Sequence, residues 1–337
     1  MLLTRRSALL ALGGTALLAT PFRGAYGQAT PIDATIAYGS TGYTWALSFV
    51  AEGIDAWKKE GVTLTALDFP TGRESMQALL GGSAQFATST DTPVIFAALQ
   101  GLKPKILASY SRYSRDMKVT MSKASGSSEK DPSSLKGKTI GTRVGTSGQY
   151  MLSRYLAMGG LKDSDVKIVD LNPSDMLAAT LRGDVDGFAW TSQASKLALD
   201  AAPDKIFEMT QDGLEKFFVS HQLLLVNDGA LPGNPELGDR AVRALLTAED
   251  YMTKNASWPE IVAPRVRAEA DFVRQMTSVF EFQVRLDKAF LDDLVGQAEW
   301  AISSGLAKQP AEDVRTLLSG LIASEPLKKA APDRVSL

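Results

Sequence analysis

The chain has 337 residues, a formal net charge of −2 and a hydrophobic fraction of 45%, which is enough to build cores for two domains. It contains no cysteine and one histidine, His221, which excludes disulfides, thiol nucleophiles and metal sites rich in cysteine or histidine. The mildly acidic charge argues against nucleic acid or an anionic membrane as the main partner. The sequence shows no phosphate-binding loop, nucleophile elbow or spaced carboxylate cluster, so we expect no cofactor, no metal and no catalytic residue.

Residues 1–27 have the pattern of an export signal. The pair Arg5-Arg6 precedes a short apolar run, and Ala25-Tyr26-Gly27 supplies small residues for cleavage. The run is too short to span a membrane permanently. The paired arginines and the late Arg23 favour the twin-arginine route, with an ordinary secretory leader as the alternative. Cleavage moves the formal charge from −2 to −5, and we expect a periplasmic protein without a lipid anchor.

The stretch Phe69 to Gln100 predicts a helix, a strand and a second helix. Arg73–Leu80 has the apolar spacing of a helix that Gly81-Gly82 ends, and Ala84–Thr88 is a short strand. Thr90, Asp91 or Thr92 can cap the next helix. A helix that begins at the carboxyl end of a strand directs N–H groups toward a ligand, especially an anion. A well-capped helix without a ligand is the alternative.

A second segment repeats this arrangement. Ser174–Gly183 again predicts a helix closed by glycine, Asp184–Ala189 a strand, and a further helix begins near Gln193. Gly82 and Gly183 are 101 residues apart. Two units of like construction, each with a loop at a strand end, predict two lobes with a ligand cleft between them.

Strands alternate with helices over most of the chain, which predicts an α/β fold with a mixed, mostly parallel sheet in each lobe. We expect lobe 1 to comprise residues 33–111 and 225–337, and lobe 2 residues 112–224. Phe218–Val226 predicts a strand that crosses back to lobe 1. From residue 234 the pattern is helical, including a helix over Asp271–Phe282, and the polar tail after Glu325 is expected to be loose.

Three motifs of the sequence belong together: Phe69-Pro70-Thr71-Gly72 through Asp91-Thr92-Pro93-Val94, Leu135-Lys136-Gly137-Lys138 through Gly145-Thr146-Ser147, and Gly183-Asp184-Val185-Asp186 followed by Trp190. As a set they resemble the aliphatic-sulfonate, taurine and nitrate class of periplasmic substrate-binding proteins. The resemblance covers residues 34–195 and implies a two-lobed periplasmic-binding-protein type II fold with two hinge strands. It also implies an ABC permease of the inner membrane as partner. The sequence departs from the class at Thr191-Ser192-Gln193, which replaces a proline-aromatic step.

Loops at strand ends and helix starts supply the candidate ligand-binding residues. Hydroxyl groups and two helix N-termini would hold an oxyanion, with Arg143 as the charged clamp. Arg73 is interpreted as a solvated first-turn residue and His221 as a packed strand residue. The candidates are Ser40, Thr41, Tyr43, Thr90, Asp91, Thr92, Tyr113, Arg143, Thr146, Ser147, Gln149 and Trp190.

We therefore expect a monomeric binding protein, not an enzyme, that delivers a small organic anion to an importer by cleft closure. A sulfonate is expected first, and a carboxylate or nitrate second. Tyr43, Tyr113 and Trp190 favour an organic group beyond the anionic head. The alternatives are a neutral heterocycle such as a pyrimidine, paired with Asp91, and a solute receptor without transport. An enzyme of the pyrimidine-synthase type is opposed by the lack of cysteine and the single histidine.

Replacing Arg5-Arg6 by two lysines tests the export route. Because the twin-arginine route reads the arginine pair itself, this variant is expected to remain in the cytoplasm. Fractionation and blotting of the periplasm measure the outcome. An undiminished periplasmic yield from the lysine variant would identify the general secretory route instead.

Overall fold

The computed structural model describes residues 31–39, 42–230 and 233–337, which fold around two β-sheets. The expected export signal, residues 1–27, and the candidate ligand residues Ser40 and Thr41 lie outside the described residues. Across the described ranges, every helix falls short of the length and apolarity that a membrane crossing requires.

The elements are numbered here in chain order. The strands are β1 Ile32–Gly39, β2 Val62–Phe69, β3 Phe86–Thr90, β4 Lys105–Tyr113, β5 Met117–Ser122, β6 Thr139–Thr142, β7 Lys167–Asp170, β8 Gly187–Thr191, β9 Ile206–Glu208, β10 Ser220–Val226, β11 Phe280–Asp287 and β12 Val335–Ser336. The helices are α1 Ala46–Gly53, α2 Ala56–Lys59, α3 Gly72–Leu80, α4 Asp91–Leu99, α5 Ser147–Met158, α6 Met176–Arg182, α7 Ser192–Ala201, α8 Glu236–Lys254, α9 Pro259–Val266, α10 Ala270–Thr277, α11 Lys288–Ser303, α12 Val314–Ser319 and α13 Glu325–Ala330.

The two sheets define a large and a small lobe, which confirms the two-lobed α/β fold predicted from the sequence. The large lobe has seven strands in the order β12-β11-β4-β10-β3-β1-β2, and the small lobe has five in the order β7-β6-β8-β5-β9. Both sheets are mixed: β1 pairs in parallel with β2 and β3, whereas β10 runs antiparallel to both β3 and β4. The chain leaves the large lobe after β4 and returns to it in β10, so two crossings connect the lobes.

The lobe limits at residues 111/112 and 224/225 stay predictions. The sheet shows that β4 continues to Tyr113 in the large lobe and that β10 is already paired there at Ser220. The two predicted limits thus fall inside β4 and β10, strands that belong to the large sheet.

The predicted repeat is present in the structure with the same offset. Strands β3 and β8 begin 101 residues apart, at Phe86 and Gly187, and helices α4 and α7 follow each strand directly. The glycines that precede them, Gly82 and Gly183, both have left-handed backbone angles, with φ of 79° and 82°. Each lobe therefore presents one equivalent strand-to-helix turn.

The C-terminal third differs from the predicted all-helical pattern. The helix expected over Asp271–Phe282 ends at Thr277, and Phe280 begins strand β11, which pairs antiparallel with β4. In the sequence of β11, Phe280, Val284 and Leu286 are buried at even spacing, which is the period of a strand with one buried face. Residues 280–287 form a strand because they pair with β4 in the large sheet, although the segments on either side of them are helical.

The prediction of a loose tail after Glu325 is wrong. Residues 325–330 form α13, which packs against α8, and Leu327 is completely buried. After α13, strand β12 pairs in parallel with β11. The tail is polar in composition, but one leucine on the inner face of α13 anchors it to the core.

Leu327→Ala tests whether the tail contributes to stability. Removing a fully buried leucine side chain is expected to lower the free energy of unfolding by about 2–4 kcal/mol. Leu337→Ala is the matched control, because Leu337 is 49% exposed and its loss is expected to cost less than about 0.5 kcal/mol. Urea unfolding of both variants measures the difference. Equal midpoints would show that α13 is not part of the core.

Candidate functional site

A small cavity lies between the two lobes, at the ends of the strands that each lobe presents to the other. It offers about 30 Å³ of space for the centres of water molecules, which is room for one or two of them. Both lobes and both crossings contribute to its wall. The lining residues are Thr44, Trp45, Thr71, Gly72, Arg73, Thr90, Pro93, Tyr113, Met117, Thr146, Ser147, Trp190, Thr191 and Gln222. We call this space the central cavity.

Four helices begin at the central cavity, and a threonine occupies the N-cap position of each. The N-cap residues are Thr71 of α3, Thr90 of α4, Thr146 of α5 and Thr191 of α7. Each helix N-terminus carries about half a positive charge from its aligned peptide dipoles. Two N-termini from each lobe therefore make the potential in the central cavity positive, although the sequence predicted only two helix starts there.

Three of the four threonines also hold their helix ends through the side chain. Thr71 Oγ1 accepts a hydrogen bond from Arg73 N at 3.2 Å, and Thr146 Oγ1 accepts one from Gly148 N at 3.2 Å. Thr191 Oγ1 accepts from Ala194 N at 3.4 Å. The caps fix the direction of each helix and leave the hydroxyl hydrogens for other acceptors. In Thr71 and Thr146 these hydrogens point to Glu74 and to the carbonyl of Arg143.

Aromatic rings form the apolar part of the wall. Trp45, Tyr113 and Trp190 all line the central cavity and are at least 90% buried. Two glycines make room for the indoles. A Cβ atom at Gly72 would lie 3.0 Å from the Trp45 ring, and one at Gly148 would lie 2.7 Å from the Trp190 ring. The first turns of α3 and α5 can pack against the tryptophans only because these positions are glycine.

Arg73 is the one charged side chain among the described residues that line the central cavity. It lies in the first turn of α3 in the large lobe, and its Nη1 donates a hydrogen bond to the carbonyl oxygen of Val144 in the small lobe at 2.6 Å. The sequence interpretation of Arg73 as a solvated residue therefore missed its position. Its guanidinium keeps further N–H groups for a ligand, since an arginine has five donors.

Arg143, the clamp predicted from the sequence, does not line the central cavity. Its guanidinium is bound by Glu74 of α3 and by Asp170 at the end of β7, with Arg143 Nη1 at 3.1 Å from Asp170 Oδ2. The contact with Glu74 joins the two lobes. Two carboxylates already neutralise this arginine, which leaves little attraction for a ligand anion.

The environment of Glu74 keeps the interlobe ion pair charged at neutral pH. Partial burial opposes ionisation of Glu74, but hydrogen bonds from Thr71 and Arg143 outweigh it and lower its pKa below the ordinary 4.5. The Glu74 hydrogen bond raises the pKa of Arg143 in turn. Both side chains are 20% exposed, so solvent weakens the attraction between them.

Asp91 and Thr92 belong to a buried network behind α4 and do not line the central cavity. Asp91 is fully buried and accepts hydrogen bonds from Ser220 Oγ at 2.6 Å and from His221 N at 2.9 Å, and also from Gln297. Thr92 Oγ1 donates to Gln297 Oε1 at 2.8 Å. Burial raises the pKa of Asp91, while these donors favour its charged form. The carboxylate fastens α4 to β10 and α11 and is shielded from a ligand.

Tyr43 contributes to a second buried network at the crossing between the lobes. Its hydroxyl donates to Asp116 Oδ1 at 2.8 Å, and Ser192 Oγ donates to the same oxygen at 2.6 Å. Asp116 lies between β4 and β5, and burial raises its pKa. Tyr43 thus ties the large lobe to the start of α7 in the small lobe, and its ring is not in the cavity wall.

The remaining candidates divide between the central cavity and its surroundings. Thr90, Tyr113, Thr146, Ser147 and Trp190 line the cavity, so the structure brings five of the candidates together. Gln149 lies in an adjoining groove, where its Oε1 accepts a hydrogen bond from Gly145 N at 2.8 Å. The binding roles of these side chains stay predictions.

His221 has the packed position predicted for it. Its ring is fully buried in β10, with Nδ1 at 3.1 Å from Ser109 Oγ and Nε2 at 2.9 Å from Asp293 Oδ2. It faces the side of β10 that is opposite to the Asp91 network and does not reach the central cavity.

Two signals in the sequence could have identified residues that we missed. Thr71-Gly72-Arg73-Glu74 has the spacing of a capping box, a threonine followed three residues later by glutamate, which marks a helix start at a strand end. Thr191 stands at the position equivalent to Thr90 in the repeat. Gln222 has no such signal, because only the pairing of β10 with both β3 and β4 brings this residue to the cavity.

Comparison with known proteins gives one family and several relatives. The model of the NMT1/THI5 like family matches residues 46–257. A Brucella abortus (strain 2308) protein, named only as a binding protein, is 24% identical over 320 residues, covering 88% of this chain and 93% of that protein. The taurine-binding periplasmic protein of Escherichia coli (strain K12) is 28% identical over 175 residues, covering 51% of this chain and 52% of that protein.

Solved structures share the fold. The alkanesulfonate-binding protein SsuA from Xanthomonas axonopodis pv. citri, bound to MOPS, has a TM-score of 0.73 at 20% identity, covering 88% of this chain and 99% of that chain. The desulfurization enzyme DSZB has a TM-score of 0.63 at 15% identity, covering 89% and 99%. At these identities the likeness shows the fold alone, and the fold occurs in both a binding protein and an enzyme.

Glu74→Gln tests the interlobe ion pair. Loss of the charge is expected to shift the equilibrium between open and closed lobes toward the open form by roughly fivefold, equivalent to about 1 kcal/mol for a partly exposed pair. In the unaltered chain the pair is fully present above pH 4.5 and is lost as the pH falls through the lowered pKa of Glu74. Small-angle scattering across this pH range measures the radius of gyration.

The control for this measurement is Glu312→Gln, which removes one negative charge at an exposed position that does not line the central cavity. It is expected to scatter like the unaltered chain at every pH. If Glu74→Gln scatters in the same way as this control, the ion pair does not contribute to closure.

Proposed function

We propose that this chain, which belongs to the NMT1/THI5 like family, is a periplasmic solute-binding protein that holds a compact organic anion between its lobes. A sulfonate is the expected head group, and delivery to an ABC permease is the expected role. The names of the Escherichia coli and Xanthomonas proteins, which bind taurine and alkanesulfonate, support this ligand class.

The convergence of four helix N-termini on one cavity is the observation that carries the proposal. Positive potential from α3, α4, α5 and α7 adds to the charge of Arg73, and the described lining includes no carboxylate. The nearest acids are held elsewhere: Asp91 and Asp116 lie in buried networks, and Glu74 is paired with Arg143. An anion that enters this cavity meets two helix N-termini from each lobe and the Arg73 guanidinium, beside the aromatic part of the wall.

The size of the central cavity favours a small ligand or a small head group. A volume of about 30 Å³ admits one or two water molecules, so a larger anion must part the lobes slightly. Two wider grooves adjoin it. One of about 280 Å³ shares Arg73 and Pro93, and one of about 510 Å³ shares Trp190 and Thr191. Any part of the ligand beyond the head can extend into these grooves.

Closure follows from which residues the ligand would contact. Thr71 and Thr90 belong to the large lobe, while Thr146 and Thr191 belong to the small lobe, so a bound anion bridges the two. A ligand that makes more contacts in the closed form shifts the equilibrium toward that form. The bond from Arg73 to Val144 and the Glu74–Arg143 pair then add contacts between the lobes.

The alternatives are less well supported. A neutral heterocycle was expected to pair with Asp91, but this carboxylate is fully buried and already bonded away from the cavity. An enzyme of this sequence could not use a thiol as its catalytic group, because the chain has no cysteine. Its single histidine, His221, does not reach the cavity. Binding without chemistry is the function that the cavity supports best.

A thermal-shift screen of sulfonates, carboxylates, nitrate and pyrimidines tests the proposal. A ligand present at a hundred times its dissociation constant is expected to stabilise the fold by about 2.7 kcal/mol. Arg73→Met should weaken the best anion at least tenfold, because it removes the charged group of the lining. Arg143→Met is the matched control, with a smaller loss that reflects closure alone. Hits restricted to neutral compounds, unchanged by Arg73→Met, would refute the anion site.

A further inference from the structure

Gln222 lies in β10, the strand that returns the chain to the large lobe, and it is the residue of this strand that lines the central cavity. Along β10, Ser220 donates to Asp91 on one face, and His221 bonds to Ser109 and Asp293 on the other. Because strand side chains alternate, Gln222 lies on the face of Ser220 and lines the central cavity. A register shift in the pairing with β4 follows directly after it, an irregularity that often re-aims a side chain beside a site.

The side-chain amide of Gln222 is buried and unpaired. The residue is 1% exposed, and neither Oε1 nor Nε2 forms a hydrogen bond with any other residue in the described part of the chain. Leaving a buried amide without partners costs free energy, so groups of this kind are normally satisfied by a ligand or by water. Both atoms are unpaired, so the conclusion does not depend on which atom is nitrogen and which is oxygen.

The two atoms of the amide require different partners. The NH₂ group donates and can bind an anionic oxygen, whereas the carbonyl oxygen can only accept. A sulfonate offers acceptors alone, so a plain alkanesulfonate leaves the carbonyl of Gln222 unsatisfied. A hydrogen-bond donor close to the anionic head of the ligand would satisfy this carbonyl directly.

A neutral donor fits this cavity better than an ammonium group. An ammonium would add positive charge beside Arg73 and the four helix N-termini, and the lining offers no carboxylate among its described residues. A hydroxyl group brings the donor without the charge. A short carbon chain also suits the small volume of the central cavity.

We propose that Gln222 is a specificity-determining residue that selects organic anions carrying a hydroxyl within two carbons of the anionic head, of the hydroxyalkanesulfonate class. This inference rests on the proposed function, since it takes an anion in the central cavity as given. It goes further by naming the second polar group of the ligand and the side chain that recognises it.

Calorimetric affinities for 2-hydroxyethanesulfonate, ethanesulfonate and taurine test the inference on the whole mature chain. The three compounds differ in one group: hydroxyl, hydrogen or ammonium. The hydroxyl compound is expected to bind at least tenfold more tightly than each of the others, because a site built to bond a hydroxyl rejects the analogue without it. In Gln222→Met the preference over ethanesulfonate should fall to about twofold or less, through weaker binding of the hydroxyl compound.

The control is Gln275→Met, the same substitution at an exposed position of α10 that lines no part of the cavity, and it should keep the full preference. Equal affinity of the unaltered chain for 2-hydroxyethanesulfonate and ethanesulfonate overturns the inference alone and needs no variant. An unchanged preference in Gln222→Met overturns it too, and so does tightest binding of taurine. If none of the three sulfonates binds, the proposed sulfonate head group fails and this inference fails with it.

Discussion

The positive potential of helix N-termini is the constraint around which the site is built. Four helices from two lobes begin at the central cavity, each capped by a threonine. Aligned peptide dipoles that point at one small space repel one another unless negative charge comes between them. An anion between the lobes relieves the repulsion, and without one the closed form has to be held by other contacts.

The contacts that hold the closed form involve charged side chains that do not line the central cavity. Glu74 sits in the first turn of α3, where the helix dipole favours it, and turns toward Arg143 of the small lobe. Asp91 lies at the start of α4 and is bonded to Ser220 and His221. Each carboxylate thus lies in the first turn of a helix, beside its N-terminus and outside the central cavity. The space in front of the four helices stays free of carboxylates among the described residues, which favours an anionic ligand.

The connection between the lobes is as specific as the cavity itself. Strand β10 lies at the centre of the large sheet and supplies, in order, a residue to the Asp91 network, a packed histidine and a residue to the cavity wall. At the other crossing, Tyr43 and Ser192 share one oxygen of the buried Asp116. The two segments that connect the lobes therefore also supply residues to the cavity wall. Ligand binding and lobe closure can be coupled directly through these segments.

The local elements and their repetition could be predicted from the order of the amino acids alone. Glycine-ended helices, short strands and capping threonines are encoded within ten or fewer residues, so the two lobes and the starts of α4 and α5 were predictable. Which side chains contact one another depends on how distant segments pack. Arg143 was the expected clamp, but its partners Glu74 and Asp170 are 69 and 27 residues away in the chain. Gln222 reached the cavity through pairing with β3, and Leu327 was drawn into the core by α8. Such choices depend on contacts between distant segments, for which local spacing and propensity carry no signal.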